Sequence, residues 1–560
     1  MKNKKRFLAV FVTFLMVVSL LYGCGGKTND PAPQTSTGSS SDASVSQPAD
    51  GGEDGPFGKY AEPVTISVVK NLGQSSMEFP EGDSLEDNVW TRYYEDQFNI
   101  RFDWKWSTTL EQYDQKVNIA ITSGDVPDVM KVNRTQLKMM VDNEQVYDLT
   151  ELVDKYASDF TKEVLNADDG ASLDSATFSG RLMAIPAIVS DLQSANVLWI
   201  RTDWLGNLGL DIPETVEDFW TVAEAFATKD PDGNGANDTY ALALNKDLFG
   251  TGSVYASGEG FFNMYNSYPN IWITKDGKLA YGSIQPEAKD ALAALQEMYA
   301  KGYMDPEFGV KDANKVNEDV CAGKAGMMFG NFWNMAWVND AKVADPTVEW
   351  VPAAIPGNAK AQLSFGTTSY YVVSKDCKYP EAAFKLLNGY LDKGYGEHAE
   401  PLIYNITPEG YGPFDYPVIT MEPSMKNFEA AKKVTAALES GDTSGLNAEQ
   451  MNYYELCKLS LAGDHSNNNW HQLKMFGPGG SLGVVQKYWD NGNVMPDLYY
   501  GPPTPAMTEK KSTLDKLQLT DFSVIIMGAP VDDFDKFVAN WLNLGGRDMT
   551  DEVNEWYANK

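Results

Sequence analysis

Apolar and polar positions along this chain follow two rhythms, and each predicts a different element. Val64-Thr65-Ile66-Ser67-Val68-Val69 is a β-branched run that reads as a buried strand. Ile100 to Trp106 and Asp128 to Val132 read as two more short strands. Between them the spacing predicts helices. Ser84 with Asp87 forms one capping-box pair, and Thr108 with Glu111 forms a second. Leu110, Tyr113, Val117 and Ile121 make a helical stripe that Gly124 ends. The alternation repeats downstream. Val197 to Ile200 predicts a strand, and Thr215 with Asp218 caps a helix striped by Phe219, Val222, Ala223 and Phe226. Pro286 stands at a first-turn position ahead of Leu292, Leu295 and Tyr299, and Gly302 stops that helix. Ser369 to Ser374 predicts another strand, leading into a helix after Pro380. No internal repeat is visible. Strand–helix alternation of this kind predicts an α/β fold, with parallel sheets covered by helices on both faces.

The amino end departs from both rhythms. Lys2, Lys4, Lys5 and Arg6 precede a nearly continuous apolar run, Phe7 to Leu21. The run is shorter than the ~20 residues a bilayer span needs, so residues 1–23 read as a signal peptide; the alternative is an uncleaved membrane anchor. Lys27 to Gly58 is Ser, Thr, Pro, Gly and Asp with almost nothing to bury, so residues 24–58 are expected to be a disordered tether. From Lys59 the composition is that of a folded body too long for one core.

Charge and cysteine usage narrow the function. A net charge of −33 with pI near 4.4 argues against nucleic acid and anionic lipid as partners. The cysteines are Cys24, Cys321, Cys377 and Cys457, with no CxxC. Neither a disulfide framework nor a zinc site is indicated; three buried thiols, or one bridge with one free thiol, remain.

One loop carries metal chemistry in its spacing. Asp230, Asp232 and Asn234 place oxygens at positions 1, 3 and 5 of a calcium loop, Ala236 offers its carbonyl at 7, and Asp238 stands at 9. Gly235 falls where the sharp turn is needed, but position 12 is Ala241, without the closing Glu. The donors are hard oxygens, which favour calcium in a structural role; the alternative is an Asx-rich surface turn. Catalytic signals are poor. Gly479-Gly480-Ser481-Leu482-Gly483 matches GxSxG, yet His398, His465 and His471 all lie upstream, so a Gly-rich loop is the better reading. Aromatics are abundant, at 14 Trp, 28 Tyr and 25 Phe, and such rings stack on sugar faces as readily as they fill cores.

Several stretches, taken in order, resemble one family. They are SGDVPDV from Ser123, LWIRTDWLGNLGL from Leu198, DPDGNGANDTYAL from Asp230, GYMDPEF from Gly302, GKAGMMFGNFW from Gly323, YYVVSKDCKYPEAAFKLLN from Tyr370 and NLGGRDMTDEVNEWY from Asn543. Behind Leu21-Tyr22-Gly23-Cys24, which resembles a lipobox, the chain is similar to extracellular solute-binding lipoproteins of carbohydrate-uptake ABC transporters, the large Gram-positive branch. The resemblance implies a type II periplasmic-binding-protein-like fold, two α/β lobes with a hinge and an interlobe cleft. It places lobe one at residues 60–186 plus 365–416 and lobe two at 187–364 plus 417–560. It implies a lipid on Cys24 as the only membrane contact, an oligosaccharide ligand, ABC permease subunits as partners, a monomer and no catalysis. Some large relatives carry a calcium loop like Asp230–Thr239 with a carboxylate where Thr239 stands. Motif by motif, the resemblance points to Lys131, Asn133 and Arg134, to Asp191 and Gln193 in the hinge, and to Asn331 and Trp333 as sugar contacts. Tyr265, Tyr370 and Trp470 are added by neighbourhood. A peptide or polyamine in the same fold, a surface glycoside hydrolase and a passive adhesin are the competing functions.

Overall fold

The computed structural model describes residues 54–73, 77–249, 255–407 and 411–560. Everything from residue 54 onward belongs to one compact unit. Cys24, the apolar leader and the tether up to residue 53 lie outside the described residues. The tether is shorter than expected at its far end. Asp54 pairs with Lys155 at 2.9 Å, Lys385 Nζ donates to the carbonyls of Gly55 and Gly58, and Asn388 donates to that of Pro56. Backbone carbonyls captured by a lysine and an amide are enough to fix a segment that has little to bury.

The strands that matter here are β1 (Val64–Asn71), β2 (Ile100–Thr108), β3 (Val129–Asn133), β4 (Ile185–Pro186), β5 (Val197–Arg201), β6 (Tyr240–Leu242), β7 (Ala325–Gly330), β8 (Trp350–Ala353) and β9 (Ser369–Val373). They form two sheets, ordered β2-β1-β3-β9-β4 and β8-β5-β7-β6. Neither is all-parallel. In the first, β1, β2 and β3 run parallel, whereas β9 is antiparallel to β3 and β4 is antiparallel to β9. In the second, β5 is antiparallel to both neighbours, β7 and β8. The strands that break the expected pattern are those next to a crossing between the two sheets, where the chain enters from the opposite end.

Each sheet has its own core. One gathers apolar side chains from Tyr60 to Ile188 and from Tyr370 to Met421. The other runs from Leu192 to Leu363 and resumes from Phe428 to Val553. The last crossing therefore falls between Met421 and Phe428, a few residues later than the resemblance places it. Two bonds hold that later stretch on the first core. Lys70 Nζ donates to the Pro417 carbonyl at 2.7 Å, and Tyr371 donates to that of Thr420 at 2.9 Å.

The helix starts divide along a physical line. Thr215 and Asp218 form the expected box, with the helix Val216–Thr228 burying Phe219, Val222, Ala223 and Phe226. Ser84 instead makes a turn, and the helix Val89–Phe98 is capped by Asn88 with Thr91. Thr108 is drawn into β2 by pairing with Asn71, so the next helix, Leu110–Ser123, starts at Thr109 without a side-chain cap. Sheet pairing outweighs a cap worth ~1 kcal/mol. Cys321, Cys377 and Cys457 are all free thiols, with Cys377 and Cys457 buried as expected and Cys321 only partly so. Among the described residues no helix is long and apolar enough to cross a membrane.

Candidate functional site: the cleft between the two cores

Strand order locates the first wall. From β1 the chain goes to β2 on one side, and then to β3 on the other. The carboxyl ends of β1 and β3 therefore flank a topological switch point, where open α/β sheets leave a crevice. A cavity of about 160 Å³ lies there, lined by Lys70, Asn71, Tyr113, Lys131, Tyr371 and Asp415 among others. Lys70 is only 7% exposed, 3.6 Å from Asp415, and donates to Pro417. Burial pulls its ammonium down to about 8; Lys131 adds to that and Asp415 opposes it. Lys131 lies over the Tyr371 ring at 5.6 Å, and its carbonyl accepts from Tyr113.

The hinge is built from two crossing segments that hydrogen-bond to each other. Asp191 Oδ1 accepts from the Gly366 amide at 2.6 Å, and Ser194 Oγ accepts from that of Ser364 at 2.8 Å. Only glycine fits at 366, because a Cβ there would stand 2.0 Å from the Val189 carbonyl oxygen. Burial lifts Asp191 to about 6, opposed by the Gly366 amide and helped by Asp168. Gln193 reaches the third crossing segment, donating to Glu422 Oε1 at 3.1 Å.

The second wall meets the hinge through amides. Asn331, at the end of β7, donates to the Gln193 carbonyl at 2.7 Å, while its own side-chain oxygen is buried without a partner. Trp333, two residues on, is half-buried against the second core and 6.0 Å from the Trp337 ring. Asn196 donates to Glu259 Oε2 at 3.2 Å, and burial raises Glu259 to about 7 against that bond. Asp497, bonded to the amides of Trp272 and Tyr499, is lifted to about 6 by burial. Arg134 from the first core opposes that shift, so it acts across the cleft. Its guanidinium lies 5.1 Å from the Phe365 ring, which stacks at 5.8 Å on Tyr500.

The sequence-selected residues thus fall into groups. Lys131 lines the first wall, Arg134 lies over Phe365, Asp191, Gln193 and Asn331 are joined by the hinge bonds, and Trp333 packs against the second core. Asn133 lies beside them, but its side chain caps the helix Arg134–Asp142. Tyr370 is fully buried behind Arg134, its hydroxyl 3.4 Å from Nε and 2.9 Å from Ser175 Oγ. Tyr265 packs within lobe two, accepting from Trp220 Nε1 at 3.0 Å. Trp470 is 1% exposed, with Lys342 and Lys474 over its ring. A ring so enclosed offers no face for a sugar. Ser481 opens the helix Ser481–Asp490, and its hydroxyl donates to the carbonyls of Phe332 and Lys474, so it serves the chain rather than a nucleophile's role. Lys70, Asp415 and Asp497 were not singled out from sequence. The one signal was Lys70 interrupting the apolar end of β1.

The Asp230–Asp238 loop is exposed in lobe two. Asp230 accepts the amides of Asn234 and Gly235, and the Asn234 amide nitrogen bridges Asp232 and Asp238 at 2.8 and 3.2 Å. Asp232 is raised by burial first, then by Asp230 and Asp238. Among the described residues no three His, Cys, Asp or Glu side chains gather as a metal cluster. The loop's convergence runs through an amide. The oxygens of Asp230, Asp232, Asn234 and Asp238 are of the hard type that calcium takes.

The family described as bacterial extracellular solute-binding protein matches residues 78–397. Lipoprotein LipO of Bacillus subtilis is 26% identical over 80% of this chain and 84% of its own length. The polygalacturonan/rhamnogalacturonan-binding protein YtcQ of the same organism is 24% identical over 82% and 85%. Among solved structures, an HMO binding ABC-transporter associated solute binding protein from Bifidobacterium longum infantis superposes with TM-score 0.63 at 15% identity. It covers 89% of this chain and 99% of that one. The shared fold is the type II solute-binding architecture.

Proposed function

This chain belongs to the bacterial extracellular solute-binding protein family, and we propose that it captures an oligosaccharide between its two lobes and delivers it to an ABC permease. The observation that carries this reading is the cleft itself. Charged and amide side chains from both cores face a hinge of crossing segments, at the carboxyl ends of the parallel strands. A ligand touching both walls stabilises the closed arrangement over the open one. Taking closure from 1:99 to 99:1 needs ~5.5 kcal/mol of differential binding, the scale of a few stacked rings and hydrogen bonds. The names of YtcQ and of the Bifidobacterium protein support a saccharide ligand.

The same proposal includes acylation of Cys24 as the anchor, a monomeric receptor at the outer face of the membrane, and calcium in the Asp230–Asp238 loop. Calcium would be held by Asp230, Asp232, Asn234, Asp238 and the Ala236 carbonyl, and would supply a structural staple. Thermal unfolding against neutral and acidic oligosaccharides tests the function. A rise of several degrees with one linkage class, with the sugar recovered intact, supports a receptor. Cleavage of the sugar points to a hydrolase, and a response only to polyamines or peptides refutes the saccharide reading.

A further inference from the structure

Resting on the oligosaccharide reading, we propose that the switch-point cavity in lobe one is a carboxylate subsite, and that the captured oligosaccharide is built from uronic acids. The chain is poor in cations, with 45 Lys and Arg against 78 Asp and Glu, so two lysines lining one cavity need a reason. Three other buried or partly buried lysines are matched by carboxylates, Lys311 by Asp305 and Asp319, Lys426 by Glu422 and Glu449, and Lys342 by Glu349, while Lys385 is held by the Gly55 and Gly58 carbonyls. In the cavity the account does not close. Lys70 has a single carboxylate at 3.6 Å, on Asp415, whose side chain is half exposed. Among the described residues Lys131 has no ion pair, only the face of Tyr371. Two ammonium groups against one carboxylate leave a local excess of one positive charge. Buried charge of that kind is costly until an anion enters.

The lining also sets the type of anion. Lysines act as point charges rather than as planar forks, and no arginine lines the cavity. Arg134 lies outside that lining, over the Phe365 face. One surplus charge matches a single carboxylate; a phosphate dianion would leave charge unmatched. Thr420, which also lines the cavity, adds a hydroxyl beside Tyr371, and both suit the hydroxyls of the ring bearing that carboxylate. The position at the cleft end of β1 and β3 lets one sugar unit enter while its neighbours lie between the lobes.

The test is calorimetric titration of the full chain in mild detergent with oligomers of galacturonate, glucuronate and mannuronate/guluronate. Each is paired with its methyl ester, which keeps ring and linkage and removes the charge. The expected result is that at least one acid binds tenfold or more tightly than its ester. In Lys131→Met that ratio should fall to within about twofold of one, and Lys70→Met should lower it as well. Lys131→Met decides, since the acid-to-ester ratio is insensitive to the change in stability expected of Lys70→Met. Neutral oligosaccharides binding while every acid fails would overturn this inference and leave the receptor reading in place. A ratio unchanged by Lys131→Met would overturn it too. No binding of any saccharide would remove the receptor reading itself.

Discussion

Lobe one hides a base at its edge of the cleft, and lobe two hides an acid. Lys70 is buried at the end of β1 and Glu259 beside the start of β5, and burial dominates both. It draws the lysine down to about 8 and the carboxylic acid up to about 7. Their surroundings differ. Lys70 borders a cavity with a second lysine and an aspartate, whereas Glu259 has one amide partner, Asn196, within a sealed wall. Desolvation alone moves a pKa toward the neutral form, but only a group that opens on a cavity can exchange that cost for a ligand contact. Lobe one is therefore the wall that discriminates by charge, and lobe two the wall that holds shape.

That contrast can be broken at the hinge first. Gly366→Ala forces a Cβ against the Val189 carbonyl and should destabilise the protein by roughly 3 kcal/mol, with ligand response in thermal unfolding lost as the walls separate. An unchanged melting temperature would mean the crossing segments do not set the geometry. The acid comes next. Because Glu259 titrates higher folded than unfolded, its contribution is present below about pH 4.5 and is lost as pH rises through about 7. Glu259→Gln should remove that dependence, roughly 3 kcal/mol between pH 4.5 and 8, seen as a flatter stability profile. The base works in the opposite sense. Lys70 titrates lower when folded, so its penalty is present below about pH 8 and disappears toward 10.5. Lys70→Met should raise stability at pH 7 relative to wild type by roughly 3 kcal/mol, and the gain should vanish by pH 10.5. Equal gains at both pH values would place the cost in packing rather than charge. The smallest effect belongs to lobe two alone. Removing calcium should cost roughly 0.4–1.4 kcal/mol by mass action at millimolar metal, and Asp230→Ala should abolish the response. No shift on chelation would return the loop to an Asx-rich turn.

The strands and stripes could be read from sequence because period and β-branching are local properties. Thr215 with Asp218 was legible for the same reason, while Thr108 was lost to β2 because its partner, Asn71, lies far away in the chain. The walls were partly legible through motifs. Lys131, Arg134, Asp191, Gln193, Asn331 and Trp333 come from stretches that resemble a family, and the fold puts Lys131 at the switch-point cavity and joins Asp191, Gln193 and Asn331 in the hinge bonds. Lys70, Asp415 and Asp497 carry no local signature; topology alone unites them. Tyr265 and Trp470 show the reverse error, since an aromatic's fate depends on what packs over it, and the pattern along the chain does not encode that.

The order of β-strands in lobe one has a consequence for how the protein is made. Its sheet places β9, which begins at Ser369, between β3 and β4, which ends at Pro186. A chain emerging amino end first cannot finish its first sheet until much of the second has been synthesised. Among the described residues β4 pairs with no strand but β9, so its edge has no partner until β9 is made. Closing so long a loop slows folding and lengthens the time an unpaired edge is open to aggregation. Across a membrane, therefore, the first half of this protein needs to be kept apart from its neighbours until the later strand arrives.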